Sequence, residues 1–213
     1  MIQKYKAKHQ TDLQTEINIT SIPRNFFVTS GNDIFRGKMN ENHALEQFFW
    51  TKETVNKLLI ACEYSFIKTT GCLMSPSLGH GMYEQCRDEK VLDIDTRFSY
   101  LPGYIQYDIT NPKVLDENFK LLVLDPPFFL IPIEQIRDAV DVLTKKDYST
   151  KIIIAFIVRE EERLRKAFIN YELYPTNLTP EYVSIKPNKW KNFRLYSNID
   201  LPGLKRIIDM PKK

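Results

Sequence analysis

The stretch LLVLDPPFFLIP, residues 121–132, decides how this chain folds. Its first four residues form a continuous apolar run, which predicts a buried β-strand. Pro126 and Pro127 lack the N–H group that a strand ladder needs, so the chain must leave the sheet directly after Leu124. Asp125 is therefore expected at the carboxyl end of a strand, where open α/β sheets bind their ligands.

Apolar runs on both sides of this stretch predict further strands of the same sheet. Four of them lack the alternation of a half-exposed strand, which indicates a sheet covered on both faces, as parallel sheets are: residues 71–74, 90–94, 104–107 and 151–157. Residues 133–143 and 159–170 keep helical spacing, and residues 192–199 alternate like an antiparallel edge strand. The sequence thus predicts an α/β fold with a doubly wound, mostly parallel, Rossmann-like sheet and an antiparallel edge strand.

The segment before the sheet divides into two parts. Residues 1–44 show little periodicity, and we expect them to form an irregular arm. Thr51 is a good helix N-cap, and Val55, Leu58 and Cys62 follow at three- and four-residue steps, which predicts an amphipathic helix. We therefore expect the arm over residues 1–44 and a single domain of ordinary α/β size over residues 45–213.

The composition argues against several classes of protein. The start is polar, and the longest apolar run, residues 152–158, is far shorter than the roughly 18 residues of a membrane span. We expect a cytoplasmic or nuclear protein without a membrane partner. The three cysteines are too widely spaced for a CxxC pair, so we expect neither a disulfide nor a metal site. A net charge of +3 does not by itself indicate a nucleic-acid binder.

Polar side chains follow nearly every predicted strand. A carboxylate after the second strand can accept both hydroxyl groups of a ribose, and a polar pair after the third can hydrogen-bond an adenine amino group. Taken one at a time, each aspartate is more often an ordinary turn or cap residue. The candidate cofactor-binding residues are Ser75, Pro76, Ser77, Asp93, Asp95, Tyr107 and Asp108.

Together with DPPF, residues 125–128, these residues form an ordered pattern. It is similar to that of class I methyltransferases that use S-adenosylmethionine, with a ribose-binding acid after the second strand, an adenine-contacting residue after the third and [DN]PP[FYW] after the fourth. More narrowly, the sequence resembles the family of probable N6-adenine methyltransferases, in particular the branch that methylates a lysine of translation elongation factor 1-alpha. The matching pieces are QFFWTKET (47–54), CLMSPSL (72–78), DIDTRF (93–98), IQYDITNP (105–112), LDPPF (124–128) and NFRLYSNID (192–200).

The chain also departs from the pattern in places. The glycine-rich first loop of many such enzymes is SPSL here, and the family itself carries a similar non-glycine form; residues 1–44 match no recognisable pattern. A second branch resembles zinc-finger ribosomal-RNA adenine methyltransferases, but three cysteines and three histidines cannot supply those modules. The resemblance implies S-adenosylmethionine as the cofactor and no metal.

The resemblance assigns catalysis to the DPPF residues, because methyl transfer needs a neutral amine about 3 Å from the methyl carbon. The Asp125 carboxylate and the Pro126 carbonyl would accept the hydrogens of the amine, Pro127 would stiffen the loop, and Phe128 would lie against a base or a lysine stem. Lysine must also lose its proton, which a lone carboxylate opposes. The alternative is a plain strand-ending turn in which the aspartate acts as a cap.

Four aromatic or basic residues are candidates for substrate binding. Phe49 and Trp50 either line a substrate pocket or bury the predicted first helix against the core. Trp190 and Arg194 lie in a basic-aromatic cluster that suits a phosphate backbone or an acidic protein surface, or that forms an ordinary solvated edge.

Three functions remain open at this stage. The first is methylation of a lysine in a translation factor, favoured by the compact length and the absence of nucleic-acid modules. The second is adenine-N6 methylation of RNA or DNA, and the third is a binding protein that keeps the fold without catalysis.

Overall fold

The computed structural model describes residues 34–36, 39–63, 69–87 and 90–208. Most of the arm predicted over residues 1–44 lies outside these ranges. A seven-stranded sheet runs in the order β3-β2-β1-β4-β5-β7-β6. The strands are β1 Thr70–Leu73, β2 Lys90–Asp93, β3 Tyr104–Gln106, β4 Leu121–Leu124, β5 Lys151–Ile157, β6 Tyr174–Pro175 and β7 Phe193–Ser197.

The predicted fold class is confirmed by the pairing of the strands. The first five strands pair in parallel, and β1 lies between β2 and β4. The strand order therefore changes direction at β1, which creates the crevice where open sheets bind ligands. β7 is antiparallel to β5, as expected, and the two-residue β6 lies outside it. With this extra strand beside it, Tyr196 is fully buried, although the alternation of the sequence predicts an exposed position.

The part of the chain that the structure describes contains five α-helices: α1 Lys52–Glu63, α2 Pro76–Glu84, α3 Ile133–Leu143, α4 Glu161–Ala167 and α5 Pro187–Trp190. The predicted first helix is confirmed, including its cap, since the Thr51 hydroxyl accepts the N–H of Thr54 at 3.3 Å. Short 3-10 segments precede and follow α4, so the helix predicted over residues 159–170 is regular only in its middle. No helix within the described ranges is both long and apolar enough to span a bilayer.

SPSL, residues 75–78, stands where related enzymes have a glycine-rich loop, but here it begins a helix. Pro76 begins α2, because the fixed φ of proline suits the first position of a helix, where a missing N–H costs nothing. Gly79 then lets α2 approach the sheet closely, since a Cβ atom there would collide with the side chain of Val91. The first strand therefore runs directly into a helix that is packed tightly against β2.

Two apolar layers bury the sheet. One layer contains α1 and α2 with alternate residues of the strands, such as Cys72 and Val123. The other contains α3 and α4 with the intervening residues, such as Leu73 and Leu124. Because both faces of the central strands are covered, their continuous apolar runs are explained. The candidate polar site residues therefore lie at the ends of the strands.

Candidate active site

The carboxyl ends of β1, β2 and β4 open into a cavity of about 260 Å³, which we call the main cavity. Five residues selected from the sequence line it: Asp93, Tyr107, Asp108, Asp125 and Pro127. Parallel strands end at the same edge of a sheet, and the crevice beside β1 brings these ends together. The three aspartates that carry the sequence argument therefore share one cavity.

Asp93 ends β2 and is nearly buried. Burial raises the pKa of Asp93 to about 7, although the backbone N–H of Asp95, donating to Oδ1 at 2.9 Å, works in the opposite direction. Further hydrogen-bond donors would stabilise the charged form of this buried carboxylate and so lower its pKa. The hydroxyl groups of a ribose supply such donors.

Asp95 does not line the main cavity. Its carboxylate is paired with the guanidinium of Arg97, whose Nε donates to Oδ2 at 2.9 Å, and it also accepts from Gln47 Nε2 at 3.1 Å. The side chain caps the 3-10 helix Thr96–Tyr100, so Asp95 takes the structural role that aspartates often have at turns. The structure does not bring this predicted site residue to the cofactor site.

The pair after β3 contributes less hydrogen-bonding capacity than expected. The Tyr107 hydroxyl donates to the Lys113 carbonyl at 3.0 Å and accepts the N–H of Lys113 at 3.1 Å, so it is used within its own loop. Asp108 accepts the N–H of Thr110 at 2.8 Å and its hydroxyl at 2.7 Å, and these bonds hold the pKa of Asp108 below its ordinary value. Both bonds engage Oδ1, and the carboxylate is exposed to solvent and stays charged.

The serines of SPSL are engaged elsewhere. The Ser75 hydroxyl donates to the Val123 carbonyl at 2.9 Å, and the Ser77 hydroxyl accepts the N–H of Trp50 at 3.0 Å. Both side chains are buried, and neither they nor Pro76 lines the main cavity. The prediction that these hydroxyls meet the cofactor is therefore corrected: they join β1 to β4 and α2 to the segment before α1.

A second, smaller cavity of about 100 Å³ lies on the other side of Asp125. We call it the aromatic cavity, since Phe48, Phe128, Phe129, Tyr182 and Phe193 are among its lining residues. Within the DPPF loop, Pro126 and Phe128 line only the aromatic cavity, and Pro127 lines only the main cavity. Asp125, Glu46 and Phe48 line both, so the DPPF loop forms part of the wall between them.

Asp125 lies in an environment that weakens its acidity. Burial raises the pKa of Asp125 well above its ordinary value, the hydrogen bond from Tyr182 lowers it, and the charges of Glu41 and Glu46 raise it. The Tyr182 hydroxyl donates to Asp125 Oδ1 at 2.8 Å. A carboxylate whose pKa is raised in this way is a better proton acceptor than an exposed one.

Sequence patterns do not single out Glu46, although it directly precedes QFFWTKET. Its Oε2 accepts the backbone N–H groups of Phe129 at 2.9 Å and Leu130 at 3.1 Å. Its φ of 53° is left-handed, which is uncommon for glutamate and marks a position set by its surroundings. Burial raises the pKa of Glu46, and the two N–H donors oppose this rise. Glu46 thus holds the DPPF loop from the segment before α1.

The predicted substrate-binding residues lie behind the site rather than in it. Phe49 and Trp50 are buried in the core, which corrects their assignment as pocket residues. The indole N–H of Trp190 donates to the Tyr182 carbonyl at 3.2 Å and to the Ile185 carbonyl at 2.9 Å, so Trp190 supports the aromatic cavity from outside. Arg194 lines neither of the two cavities.

Among the described residues, no group of three or more His, Cys, Asp or Glu side chains is arranged to hold a metal ion. Cys62 and Cys72 are buried, and Cys86 is exposed; none of the three forms a disulfide.

The sheet order, the antiparallel β7 and the acidic strand ends around one cavity define a class I methyltransferase. A family profile described as "Probable N6-adenine methyltransferase" matches residues 41–201, and the chain belongs to this family. The predicted methyltransferase activity and the S-adenosylmethionine cofactor are thereby confirmed. No curated protein sequence matches the chain.

Several solved structures are similar to the chain. A TehB-like SAM-dependent methyltransferase from Corynebacterium glutamicum is 12% identical, with 68% of this chain and 85% of that chain covered and a TM-score of 0.46. The 16S rRNA methylase RmtB is 10% identical, with 78% and 79% covered and a TM-score of 0.43. The plantazolicin methyltransferase BpumL in complex with SAH is 13% identical, with 56% of each chain covered and a TM-score of 0.35.

Proposed function

We propose that this methyltransferase acts on the side-chain amine of a lysine in a translation factor, with the cofactor in the main cavity and the amine in the aromatic cavity. The observation that carries the proposal is the position of Asp125, whose carboxylate lines both cavities. A group at this boundary can contact an acceptor nitrogen while the methyl donor lies on its other side. Such positioning is the main requirement of an in-line displacement.

The residues of the main cavity fit S-adenosylmethionine. Asp93, buried and with a pKa of about 7, suits the two ribose hydroxyls, and the exposed, charged carboxylate of Asp108 suits an amino group. Asp125 and Glu46 add negative charge that suits the cationic sulfur and ammonium groups. When bound, the cofactor supplies a methyl group on a positively charged sulfur.

The aromatic cavity supports a lysine because it combines rings with carboxylates. Phe48, Phe128 and Phe193 can pack along an alkyl stem, and ring faces favour positive charge near them by up to about 2 kcal/mol when water is excluded. Glu46 and Asp125 attract the ammonium group as it enters. The raised pKa of Asp125 then lets this carboxylate take the ammonium proton, which makes the nitrogen lone pair available.

The DPPF loop would then hold the neutral amine in place. After Asp125 has passed the proton to solvent, its carboxylate and the carbonyl of Pro126 accept the two remaining hydrogens of the amine, and the two prolines limit the motion of both acceptors. A translation factor as substrate assigns the enzyme to the cytoplasm. Residues 1–40, which precede the residues that match the family profile, are the proposed source of substrate choice.

Adenine-N6 methylation is the second candidate, and the Phe128 ring favours it. Phe128 lies at the edge of the aromatic cavity, 5.2 Å from the Phe156 ring, where a planar base can stack on it. The same Asp125 and Pro126 acceptors would hold the exocyclic amino group. The basic-aromatic cluster around Trp190 would then contact the phosphate backbone.

Transfer of a labelled methyl group to a cell lysate separates the two candidates. We expect label that is lost after protease treatment and kept after nuclease treatment. Asp125→Asn should lower transfer at least about a hundredfold, because it removes the proton acceptor. Asp141→Asn is the matched control, since Asp141 also accepts a tyrosine hydroxyl at 2.8 Å but lies away from both cavities. Nuclease-sensitive label would replace the lysine proposal with the adenine one.

A further inference from the structure

The two carboxylate oxygens of Asp125 have different partners. Oδ1 accepts the hydroxyl of Tyr182 at 2.8 Å. Among the residues that the structure describes, none donates a hydrogen bond to Oδ2. Both side chains line the aromatic cavity, so the open oxygen belongs to the group that faces an incoming acceptor. The asymmetry depends on one hydroxyl group.

Tyr182 is held firmly enough to impose this asymmetry. Backbone hydrogen bonds of 2.8 and 2.9 Å join residues 49–51 to residues 181–183 on both sides of Tyr182. The Trp190 indole donates to the Tyr182 carbonyl at 3.2 Å, and the Phe193 ring lies 5.1 Å from the Tyr182 ring. Burial and the neighbouring Asp125 raise the pKa of Tyr182 well above its ordinary value, so its hydroxyl stays protonated and donates.

We propose that Tyr182 is a positioning residue, which fixes Asp125 through Oδ1 so that Oδ2 is presented to the acceptor nitrogen. This inference rests on the proposed function, since it assigns the acceptor amine to the aromatic cavity. The terminal torsion of an aspartate is broad, so without the tyrosine hydroxyl the carboxylate samples orientations that do not face the amine. The bond therefore contributes to the rate of transfer rather than to cofactor binding.

The same bond adjusts the acidity of Asp125. The charged or titratable side chains that act on Asp125 are Tyr182, Glu41 and Glu46. The two glutamates raise the pKa of Asp125 and the tyrosine hydroxyl lowers it. Removing the tyrosine hydroxyl therefore raises the pKa of Asp125 further. Because activity increases with pH as Asp125 ionises, this increase should then occur at higher pH.

The substitution Tyr182→Phe tests the proposal, and Tyr171→Phe is its matched control. Tyr171 is also buried, and its hydroxyl also donates to an aspartate, Asp141, at 2.8 Å, away from both cavities. We expect Tyr182→Phe to lower kcat about tenfold or more, the scale of losing a hydrogen bond to a charged group. Cofactor affinity should stay within about twofold of the wild type, and the pH profile should shift upward. Tyr171→Phe should keep the wild-type kcat and pH profile.

A second measurement does not depend on transfer. With aspartate carboxyl carbons labelled with ¹³C, the NMR signal that Asp125→Asn removes reports the titration of Asp125. Its midpoint should rise in Tyr182→Phe and stay in place in Tyr171→Phe. An unchanged midpoint, or a kcat of Tyr182→Phe within about twofold of the wild type at every pH, overturns the proposal. A shifted midpoint in an enzyme that labels no lysate component supports the role of Tyr182 and refutes the proposed function.

Discussion

Asp93 shows at the scale of one residue how burial prepares a cofactor site. Its pKa of about 7 lies well above the ordinary value of 3.8, so the cofactor-free protein holds a proton that the unfolded chain has already released. Asp93 therefore lowers the free energy of unfolding as the pH rises from about 4 to about 7. Ribose hydroxyls reverse this effect, because they favour the ionised carboxylate.

Cofactor binding should therefore release a proton near neutral pH. We expect the affinity for S-adenosylmethionine to increase as the pH rises towards about 7 and to level off above it. Calorimetry in buffers of different ionisation enthalpy measures the proton release. Asp93→Asn should bind the cofactor at least about tenfold more weakly and lose most of the release. If Asp93→Asn released as many protons on cofactor binding as the wild type, the proton would come from a group other than Asp93.

How well the sequence predicted the position of a site residue depended on the contacts of that residue in the fold. Asp93, Asp108 and Asp125 could be placed at one cavity from the sequence because each lies at or just after the end of a predicted strand, and parallel strands end at one edge. Asp95 is also an aspartate and lies only two positions after Asp93, yet it is paired with Arg97 and does not line the main cavity. Tyr182 and Glu46 belong to no sequence pattern, since their roles consist of contacts with residues far along the chain.

At the scale of elements, the 3-10 segment His43–Leu45 and the residues around it are joined to the DPPF loop. Glu46 Oε2 makes this connection through the N–H groups of Phe129 and Leu130. Both elements form part of the wall of the main cavity, because Leu45, Gln47, Leu130 and Ile131 all line it. The position of the loop thus depends on a segment outside the sheet.

Replacing Glu46 tests this connection. Glu46→Gln keeps the shape of the side chain but removes the charge that strengthens both hydrogen bonds, and charged bonds are roughly twice as strong as neutral ones. Because the bonds are partly exposed to solvent, we expect kcat/KM to fall only about threefold to tenfold. Glu134→Gln, which breaks the exposed pair with Arg163, serves as the control. Equal kcat/KM values for the two variants would contradict a role for Glu46 in holding the loop.

At the scale of the whole molecule, the active site is assembled from distant parts of the chain. Residues 41–51 and residues 181–185 together cover the carboxyl ends of the sheet, and an antiparallel bridge joins Trp50 to Tyr182. The rings of Phe48 and Tyr182 meet edge to face at 6.4 Å. The aromatic cavity therefore exists only when these two segments pack against each other, since Phe48 from one and Tyr182 and Ile185 from the other line it.

Hydrogen exchange measured with and without S-adenosylmethionine should reveal this assembly. We expect slower exchange in residues 41–48, 93–95, 107–110 and 125–131, all of which contribute to the main cavity or adjoin it. The groove beside α4, residues 158–174, is the internal control and should not change. Protection confined to residues 93–110, without the 41–48 segment, would show that this segment does not cover the cofactor.

The sequence by itself determined six of the seven strands, the helices α1, α3 and α4 and the line of acidic strand ends, because hydrophobic periodicity and proline chemistry act within a few residues. It also carried the resemblance that identified the class of cofactor. The tertiary structure alone decided which polar groups face the cavities, because that depends on side-chain partners from remote segments. Ser75 and Ser77 were turned into the core in this way, whereas Glu46 and Tyr182 were brought to Asp125.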